Sequence, residues 1–398
     1  MTYTGRLPGV APTPTQHYYP PLAWNIQMQV ERYLPMLGEV LVAAGQRVES
    51  DAPVARTSLP GRPRLYNLAQ FFEMSPKEVR KLMLKEVNSR LAESDLIAQK
   101  KGFRGKQFRT PFMSILSAYD EETAYLSLTP LPTPLVLEAY TRGIVAATVP
   151  GYGVKIDLRA NYVRGAVGLG GERHGVLRAM VTDPSQTITP ESIDTRTTYF
   201  ILLGGAMITA EALQKAVEMK VRGIITGSIR EEELTKFLEY RRRESFYRVG
   251  KNGWRFPADI NVTDSPLTLV LTEGFGQRPM ASRIFEMLTG QNGLEISING
   301  TTRLRRGWQR PEIIAPISSQ LDATRNPTDL SLTTSLPQPN ALVRLINPTY
   351  LGVLARVVSL PQRRHASSSA ADRMVEVEVG GGRRLLLPAV DMEVIEQY

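Results

Sequence analysis

The chain has 398 residues, no cysteine, three histidines and a formal net charge of +9. This length favours two to four domains. The lack of cysteine excludes disulfides, thiol nucleophiles, iron–sulfur clusters and cysteine-containing zinc sites, and three histidines provide few bases for a hydrolytic triad. We therefore assign no catalytic residue, cofactor or metal. The positive charge indicates either an acidic partner such as nucleic acid or a generally basic protein.

The N-terminal segment gives two expectations about location and order. No apolar run reaches the roughly 18 residues that a membrane span needs. The first residues, MTYTGRLPGVAPTPTQHYYPP, lack the charged and then apolar order of a signal peptide. We expect a cytoplasmic protein with no membrane partner. Residues 1–30 are rich in Pro and Tyr and predict an extended arm.

Residues 31–180 predict a β domain that contains an internal repeat. The phrase GEVLVAAGQRVESDAPVAR, which starts at Gly38, reads as short alternating strands broken at Gly45 and Asp51. The later phrase NSRLAESDLIAQ aligns with it without a gap. The aligned residues are Arg47, Val48, Val54 and Ala55 with Arg90, Leu91, Ile97 and Ala98. A β-unit that occurs twice suggests one pseudo-symmetric domain.

These phrases resemble the barrel-sandwich hybrid fold of lipoyl and biotinyl domains, in which a spaced Gly and Val rhythm precedes a strand that ends in Val-Ala or Ile-Ala. The resemblance covers about residues 35–175 and implies a β domain. Carrier domains of that family hold a lysine at a hairpin tip. The corresponding hairpin here, TPFMSILSAYDEETAYLSL, has Asp120, Glu121 and Glu122 at its tip. We expect the fold without the carrier function.

A helical insertion is predicted over residues 67–87, NLAQFFEMSPKEVRKLMLKEV. Ser75 as N-cap, Pro76 in the first turn and Glu78 three residues after the cap form a capping box. Two helices across a short turn are compatible with helix-turn-helix DNA binding or with a structural insertion.

Glu172 and His174 follow in a glycine-rich strand-like segment. Their spacing of two places both side chains on one face of a strand. They form either an acid/base pair or exposed charges beside a tight turn. Residues 181–197 predict a linker.

Residues 198–318 alternate strands and helices and predict an α/β domain with a mainly parallel sheet. The strands are YFILLGG, VRGIITGS, LTLVLTEGFG and LEISINGTT. Each strand runs out into small or polar residues, and parallel strands share their carboxyl edge, where open α/β sheets bind ligands. The candidate ligand residues are Gly204, Gly205, Thr226, Gly227, Ser228, Thr272, Glu273, Gly274, Gly276 and Asn299. One interpretation is that these residues bind a small anionic ligand. The other is that the loops and helix caps use glycine and small polar residues for structural reasons alone.

Two basic stretches interleave arginine with aromatic residues in this domain. Such a mixture suits single-stranded nucleic acid, because basic side chains hold phosphates and aromatic rings stack on bases. The alternative is that the aromatic residues pack the insertions onto their own domain. The candidate contacts are Arg241, Arg242, Arg243 and Trp254 in the first stretch, and Arg303, Arg305, Arg306, Trp308 and Arg310 in the second. The first stretch follows a helix and the second a strand, so we expect them at opposite edges of the sheet.

After a linker at 319–338, residues 339–398 predict a small β-barrel. The order of a Val-Arg strand, the turn NPTYLG, a strand through Val357 and Val358, a long hairpin and a closing PAVDMEVIE resembles the KOW domain, a Tudor-like or SH3-like barrel. Gly352 matches the motif's glycine, whereas Leu354 and Ala355 replace its second glycine. The resemblance implies docking on RNA, ribosomes, RNA polymerase or neighbouring domains. Arg363 and Arg364 lie in a loop where such barrels touch partners.

The fold class is thus multidomain α/β plus β, with a barrel-sandwich-like domain, a parallel-sheet domain and a KOW-like barrel. The leading hypothesis is a non-enzymatic protein that binds RNA or a nucleoprotein complex. The alternative is an α/β domain that binds an anionic small molecule or nucleotide, with the β domains as scaffold. A pure assembly factor that contacts an acidic protein is a third hypothesis. The sequence makes no prediction of the oligomeric state.

Overall fold

The structure is a computed structural model. It describes residues 21–100, 105–239, 265–302, 309–317, 326–328, 337–346, 350, 353–360 and 374–396, together with the backbone of 247–249 and 253–255. The described residues are mostly β, with one large mixed sheet and several small sheets. Among them no helix has the length and apolar character needed to cross a membrane.

The described chain contains 28 strands and five α-helices. The first are β1 (Leu22–Tyr33), β2 (Glu39–Val40), β3 (Arg47–Val48), β4 (Pro53–Leu59), β5 (Arg64–Asn67), α1 (Leu68–Phe72), α2 (Pro76–Arg80), β6 (Arg90–Leu91), β7 (Leu96–Gln99), β8 (Gln107–Arg109), β9 (Ser114–Tyr119), β10 (Tyr125–Pro130), β11 (Thr133–Glu138), β12 (Gly143–Val149), β13 (Gly153–Arg164), β14 (Val167–Leu169) and β15 (Glu172–Ala179). The next are β16 (Ile201–Leu203), β17 (Met207–Ile208), α3 (Ala210–Glu218), β18 (Gly223–Ile229), α4 (Glu231–Glu239), β19 (Tyr247–Val249), β20 (Gly253–Arg255), β21 (Thr268–Phe275), α5 (Ser282–Thr289), β22 (Glu295–Asn299) and β23 (Glu312–Pro316). The last are β24 (Leu342–Leu345), β25 (Leu354–Ser359), β26 (Met374–Val379), β27 (Arg383–Pro388) and β28 (Met392–Glu396).

One twelve-stranded sheet joins the first half of the chain to the middle. Its order is β14-β21-β18-β16-β15-β22-β23-β13-β12-β3, with β1 paired to β13 and β17 to β18. The sheet therefore crosses the boundary that we predicted at residue 180. Residues 22–30 belong to β1 and pair along β13, so this last third of the predicted arm is a strand. The long complementary strand β13 supplies the backbone partners that an isolated arm lacks.

The centre of the sheet is parallel, as the strand–helix alternation predicted. Strands β15, β16, β18 and β21 run in one direction. Helices α3 and α4 pack on one face, around Leu213 and Phe237. Helix α5 packs on the other face, around Phe285 and Leu288.

The fourth predicted strand, β22, was wrongly expected to be parallel. It runs antiparallel to β15 and to β23. The turn after α5 explains the direction, because Gly293 donates its N–H to Leu177 O at 2.8 Å and Asn292 Oδ1 accepts from Ala179 N at 2.8 Å. Both bonds hold the turn at the carboxyl end of β15. The next strand must start there and run back.

A small sheet of β11, β4 and β2 packs against β12 and β13 of the large sheet, whereas β5 to β10, with α1 and α2, surround an apolar core of their own. Corresponding residues of the repeat have matching environments, since Arg47 and Arg90 are exposed while Val48 and Leu91 are buried. The predicted capping box is confirmed: Glu78 Oε2 accepts from Ser75 N at 3.0 Å and from Ser75 Oγ at 2.7 Å. Helices α1 and α2 are only five residues each, so the predicted insertion is less helical than expected.

Strands β24 to β28 form an antiparallel sheet in the order β27-β26-β25-β24-β28. Its apolar core includes Val343, Val357, Val375 and Val377. Alternate residues of each strand point into this core, as period-two patterning requires. This C-terminal sheet packs against the large sheet through buried charged side chains.

Candidate functional site at the edges of the parallel strands

The carboxyl edge of the parallel strands brings together nearly all of the predicted ligand residues. Gly205 O accepts from Gly227 N at 2.8 Å, and Ser228 lies opposite Gly274 in the pairing of β18 with β21. The residues that meet there are Gly204, Gly205, Thr226, Gly227, Ser228, Thr272, Glu273, Gly274 and Gly276. β16, β18 and β21 therefore share their carboxyl edge, as the sequence predicted.

This carboxyl edge is packed by the chain's own backbone. A Cβ atom on Gly205 would lie 2.6 Å from Gln186 O and 2.7 Å from Asp183 O. One on Gly227 would lie 2.5 Å from Arg278 O. Residues of the predicted linker 181–197 thus lie against the glycines. The glycines here allow close approach of backbone to backbone.

Ser228 binds the loop that crosses this edge. Its hydroxyl donates to Ala206 O at 2.9 Å and accepts from Arg278 N at 2.8 Å. The same oxygen lies 3.1 Å from Gly276 O. Its hydrogen-bonding capacity is used within the protein.

Glu273, the carboxylate among the predicted ligand residues, is bound by the C-terminal sheet. Its Oε1 accepts from Ala281 N at 3.1 Å, and its Oε2 accepts from Arg344 Nη2 of β24. Glu273 is 6% exposed and Arg344 is 3% exposed. A guanidinium of the same chain therefore occupies the position expected for a ligand.

A second buried cluster joins β28 to the large sheet. Glu393 Oε1 lies 2.6 Å from Arg310 Nη1 and 2.9 Å from Arg164 Nε. Burial alone would raise the pKa of Glu393, but the two guanidinium groups outweigh burial and lower that pKa below its usual range. Burial lowers the pKa of Arg310.

Arg310 was wrongly placed among the nucleic-acid contacts. Its side chain is only 6% exposed, and its Nη2 donates to Gly165 O as well as facing Glu393. Asn299 was likewise wrongly placed at the carboxyl edge. Because β22 runs antiparallel, Asn299 lies opposite Glu172 at the amino end of β15, where its Oδ1 accepts from Thr301 N at 2.9 Å.

The amino edge of the parallel strands contains a cleft of about 450 Å³. We call it the amino-edge cleft. The cleft is lined by the residues that precede β16 and β18, by the first half of β15 and by the start of β22. A loop of the N-terminal β region completes the lining. The lining residues are Glu49, Asp51, His174, Gly175, Val176, Thr198, Tyr199, Phe200, Arg222 and Glu295.

The polar groups of this cleft are held in a fixed arrangement. His174 Nδ1 lies 3.0 Å from Glu295 Oε1, and its Nε2 lies 3.8 Å from Glu138 Oε2. Arg222 Nη1 donates to His174 O at 2.7 Å, and its guanidinium carbon lies 6.0 Å from the centre of the Tyr199 ring. Tyr199 has φ +65°, an uncommon conformation for a side chain of this size.

Glu172 and His174 lie on one face of β15, as their spacing predicted. Their partners come from distant parts of the chain, because Arg32 holds both oxygens of Glu172 at 2.7 and 2.8 Å while Glu295 holds His174. The sequence of β22 could have predicted this polar face, because Glu295, Ser297 and Asn299 alternate with the buried Ile296 and Ile298.

Glu312 lies on the same polar face, next to the Arg32–Glu172 pair. Tyr140 Oη donates to Glu312 Oε1 at 3.5 Å, and Arg32 lies 5.3 Å from the Tyr140 ring centre. Burial and the neighbouring Glu172 carboxylate raise the pKa of Glu312 to about 7, against the opposing effect of Arg32. Burial also raises the pKa of Tyr140.

Most of the predicted nucleic-acid contacts lie outside the described residues or have no described side chain. These are Arg241, Arg242, Arg243, Trp254, Arg303, Arg305, Arg306, Trp308, Arg363 and Arg364. The described residues at which the two basic stretches are attached are nonetheless informative. The first stretch begins after α4 and ends before Ser265, and the second begins after Thr302.

Both stretches are attached at the amino edge, contrary to our expectation of opposite edges. Thr302 Oγ1 accepts from Gly168 N at 2.8 Å, while Ser265 O accepts from Arg173 Nη2 at 3.2 Å. One end of each stretch therefore contacts the single segment 168–173. The antiparallel direction of β22 is the cause, because it places the end of that strand beside the start of β15.

No group of three or more His, Asp or Glu side chains suited to a metal is found among the residues that the structure describes. No family model, curated protein or solved structure matches the chain.

Proposed function

We propose that the chain is a non-enzymatic binding protein that contacts RNA or a nucleoprotein complex through its two basic–aromatic stretches at the amino edge. The observation that carries this proposal is the attachment of both stretches to one segment of the sheet, 168–173. Two stretches that each have one end at the same place are able to bind one strand of nucleic acid together.

The distribution of charge supports the same proposal. Residues 240–264 and 303–308 together carry nine Arg or Lys and three acidic residues, a net +6 of the chain's +9. Two thirds of the formal charge is thus attached to one edge. Phosphate binding depends on such local concentration of positive charge rather than on net charge alone.

The C-terminal sheet adds support of a different kind. The five-strand antiparallel order, with β28 beside β24, is compatible with the KOW-like barrel implied by the sequence. Arg344 and Glu393 of this sheet bind the large sheet. The module is therefore docked on the large sheet by buried ion pairs.

The alternative, an anionic ligand at the carboxyl edge, has less support. The space beside Gly205 and Gly227 contains backbone atoms, and Glu273 is paired with Arg344. A ligand there would have to displace a buried ion pair, and breaking such a pair costs about 3–5 kcal/mol.

The test is the salt dependence of binding to a labelled single-stranded RNA of mixed sequence, measured by fluorescence anisotropy. Each phosphate contact on a single strand adds about 0.7 to the slope of log affinity against log salt. Replacing Arg241, Arg242, Arg305 and Arg306 with Ala should flatten this slope by up to about three units. Trp308→Ala should weaken binding at all salt concentrations without changing the slope, because stacking releases no counterions.

A control with the same net charge separates a local site from general attraction. Arg62, Arg90, Arg283 and Arg384 are exposed at other places on the surface, and replacing these four with Ala should leave the slope almost unchanged. Equal losses in both variants would contradict a localised site. Absence of binding at about 50 mM salt, where such contacts are strongest, would overturn the proposal.

A further inference from the structure

The amino-edge cleft combines an exposed aromatic ring with two exposed carboxylates. Tyr199 is 58% exposed although Arg222 lies beneath it. The side chains of Glu49 and Asp51 line the same cleft and are exposed. Across the described part of the chain neither carboxylate makes an ion pair or a hydrogen bond through its side chain. These groups are therefore available to a ligand.

The guanidinium beside Tyr199 restricts what the ring can bind. Arg222 is held in place by its 2.7 Å hydrogen bond to His174 O. A cation near one face of a ring draws on the same negative π surface that would attract a second cation. The exposed part of the ring thus favours a flat neutral group, which stacks, over an ammonium ion.

The carboxylates restrict the hydrogen-bonding edge of that flat group. An ionised Asp or Glu only accepts hydrogen bonds, and its two oxygens suit two adjacent N–H donors. Guanine presents such a pair, N1–H and the 2-amino group, side by side. Adenine and uracil place an acceptor next to a donor on the same edge, so one carboxylate oxygen would face an acceptor.

We propose that the amino-edge cleft binds an unpaired guanine base of a single-stranded nucleic acid. The base stacks on Tyr199 and donates N1–H and one 2-amino hydrogen to the carboxylate of Glu49 or Asp51. The cleft volume of about 450 Å³ lies within the range of small-ligand pockets. This inference rests on the proposed function, and it adds base preference to a strand that the basic stretches hold by its phosphates.

The experiment compares three seven-nucleotide RNAs that contain one central guanine, hypoxanthine or adenine among uridines. Anisotropy at constant salt should show the guanine strand binding about three- to tenfold more tightly than the hypoxanthine strand, which lacks only the 2-amino donor. The adenine strand should bind more weakly still. The double variant Glu49→Gln and Asp51→Asn should remove this preference and leave the salt slope unchanged.

Substitutions of Tyr199 supply a matched pair. Tyr199→Phe keeps the ring and should keep the affinity, whereas Tyr199→Leu should lose about fivefold or more, because base stacking is lost. Leu has the same backbone strain at φ +65° as Tyr, so the two variants differ in stacking and not in the turn.

The outcomes separate this inference from the proposed function. Equal affinity for the three strands with a normal salt slope would overturn the guanine site and leave the proposed function standing. Failure of every strand to bind would overturn the proposed function, and saturation-transfer NMR with free guanosine would then decide the cleft alone. Guanosine signals lost in the Glu49→Gln and Asp51→Asn variant would support the site. No guanosine signal, or saturation by the diamine putrescine in its place, would overturn it.

Discussion

The two edges of the parallel strands differ in residue type and in solvent exposure. At the carboxyl edge, glycine loops and the Glu273–Arg344 pair are buried by the chain itself. At the amino edge, Tyr199 is exposed, Glu49 and Asp51 face solvent, and two basic stretches are attached. The charged side chain of Glu273 is thus paired and buried at the carboxyl edge, whereas those of Glu49 and Asp51 are exposed at the amino edge.

The difference shows that residues with the pattern of a ligand site can be occupied by other parts of the same chain. Gly227 and Glu273 have the residue types and positions of a ligand site in an open α/β sheet. The C-terminal sheet supplies a guanidinium to the same carboxylate, so the pattern serves docking. If this comparison is correct, substitutions at the carboxyl edge should change stability, and those at the amino edge should change binding.

The largest effect is expected from Arg344→Met. This change leaves Glu273 buried without its partner, so the free energy of unfolding should fall by about 3–5 kcal/mol. Urea unfolding followed by circular dichroism measures the loss. The double variant Arg344→Met and Glu273→Gln removes both charges and should recover most of it. A single variant as stable as the native chain would show that the pair does not hold the C-terminal sheet.

Gly227→Ala should cause the next largest fall in the free energy of unfolding. The added Cβ would lie 2.5 Å from Arg278 O, and relief of that contact requires the crossing loop to move, at a cost of about 1–3 kcal/mol. Gly380→Ala is the matched control, because nothing lies within 4 Å of its Cβ position. Thermal unfolding should separate the two variants clearly, and equal midpoints would argue against tight packing at the carboxyl edge.

Glu312→Gln should stabilise the protein in a pH-dependent way. The folded-state pKa of Glu312 is raised to about 7 from 4.5, so its contribution to stability is fully present below pH 4.5 and is lost as the pH rises through 7. The neutral amide avoids this loss and should gain about 1–2 kcal/mol at pH 8, because water screens part of the penalty.

Urea unfolding at pH 5 and pH 8 measures the difference for Glu312→Gln. The gain should be small at pH 5, where the wild-type carboxyl is mostly protonated. A gain that is equal at both pH values would show that Glu312 is ionised throughout and that its surroundings do not hold the proton.

The smallest effect on stability is expected at the amino edge. Glu49→Gln with Asp51→Asn replaces two exposed carboxylates without an ion pair among the described residues, so the free energy of unfolding should change by less than about 0.5 kcal/mol. The comparison of the edges would fail if this double variant were as destabilising as Gly227→Ala.

The sequence predicted those parts of the fold that local patterns determine. Strand–helix alternation identified β16, β18 and β21 with their shared edge, and the Ser75–Glu78 capping box was read correctly. The Glu172 and His174 spacing gave their common face. These features depend on residues close together in the chain, so periodicity and cap chemistry were sufficient.

The remaining features depend on contacts between distant segments. The direction of β22 is set by the turn at Gly293 binding β15, and the pairing of Arg344 with Glu273 joins residues 71 positions apart. Arg310 looked like the other arginines of its stretch, yet Glu393 at the far end of the chain pairs with it. No local pattern distinguishes such an arginine from an exposed one.

The most direct test of the central claim is hydrogen exchange of the full chain with and without a single-stranded RNA that contains guanine. Binding at the amino edge should slow exchange at residues 168–176, 198–200 and 265–268. It should leave the carboxyl-edge residues 204–206, 226–228 and 273–276 unchanged. Protection confined to the carboxyl-edge residues would contradict the account, because those residues would then be the binding surface.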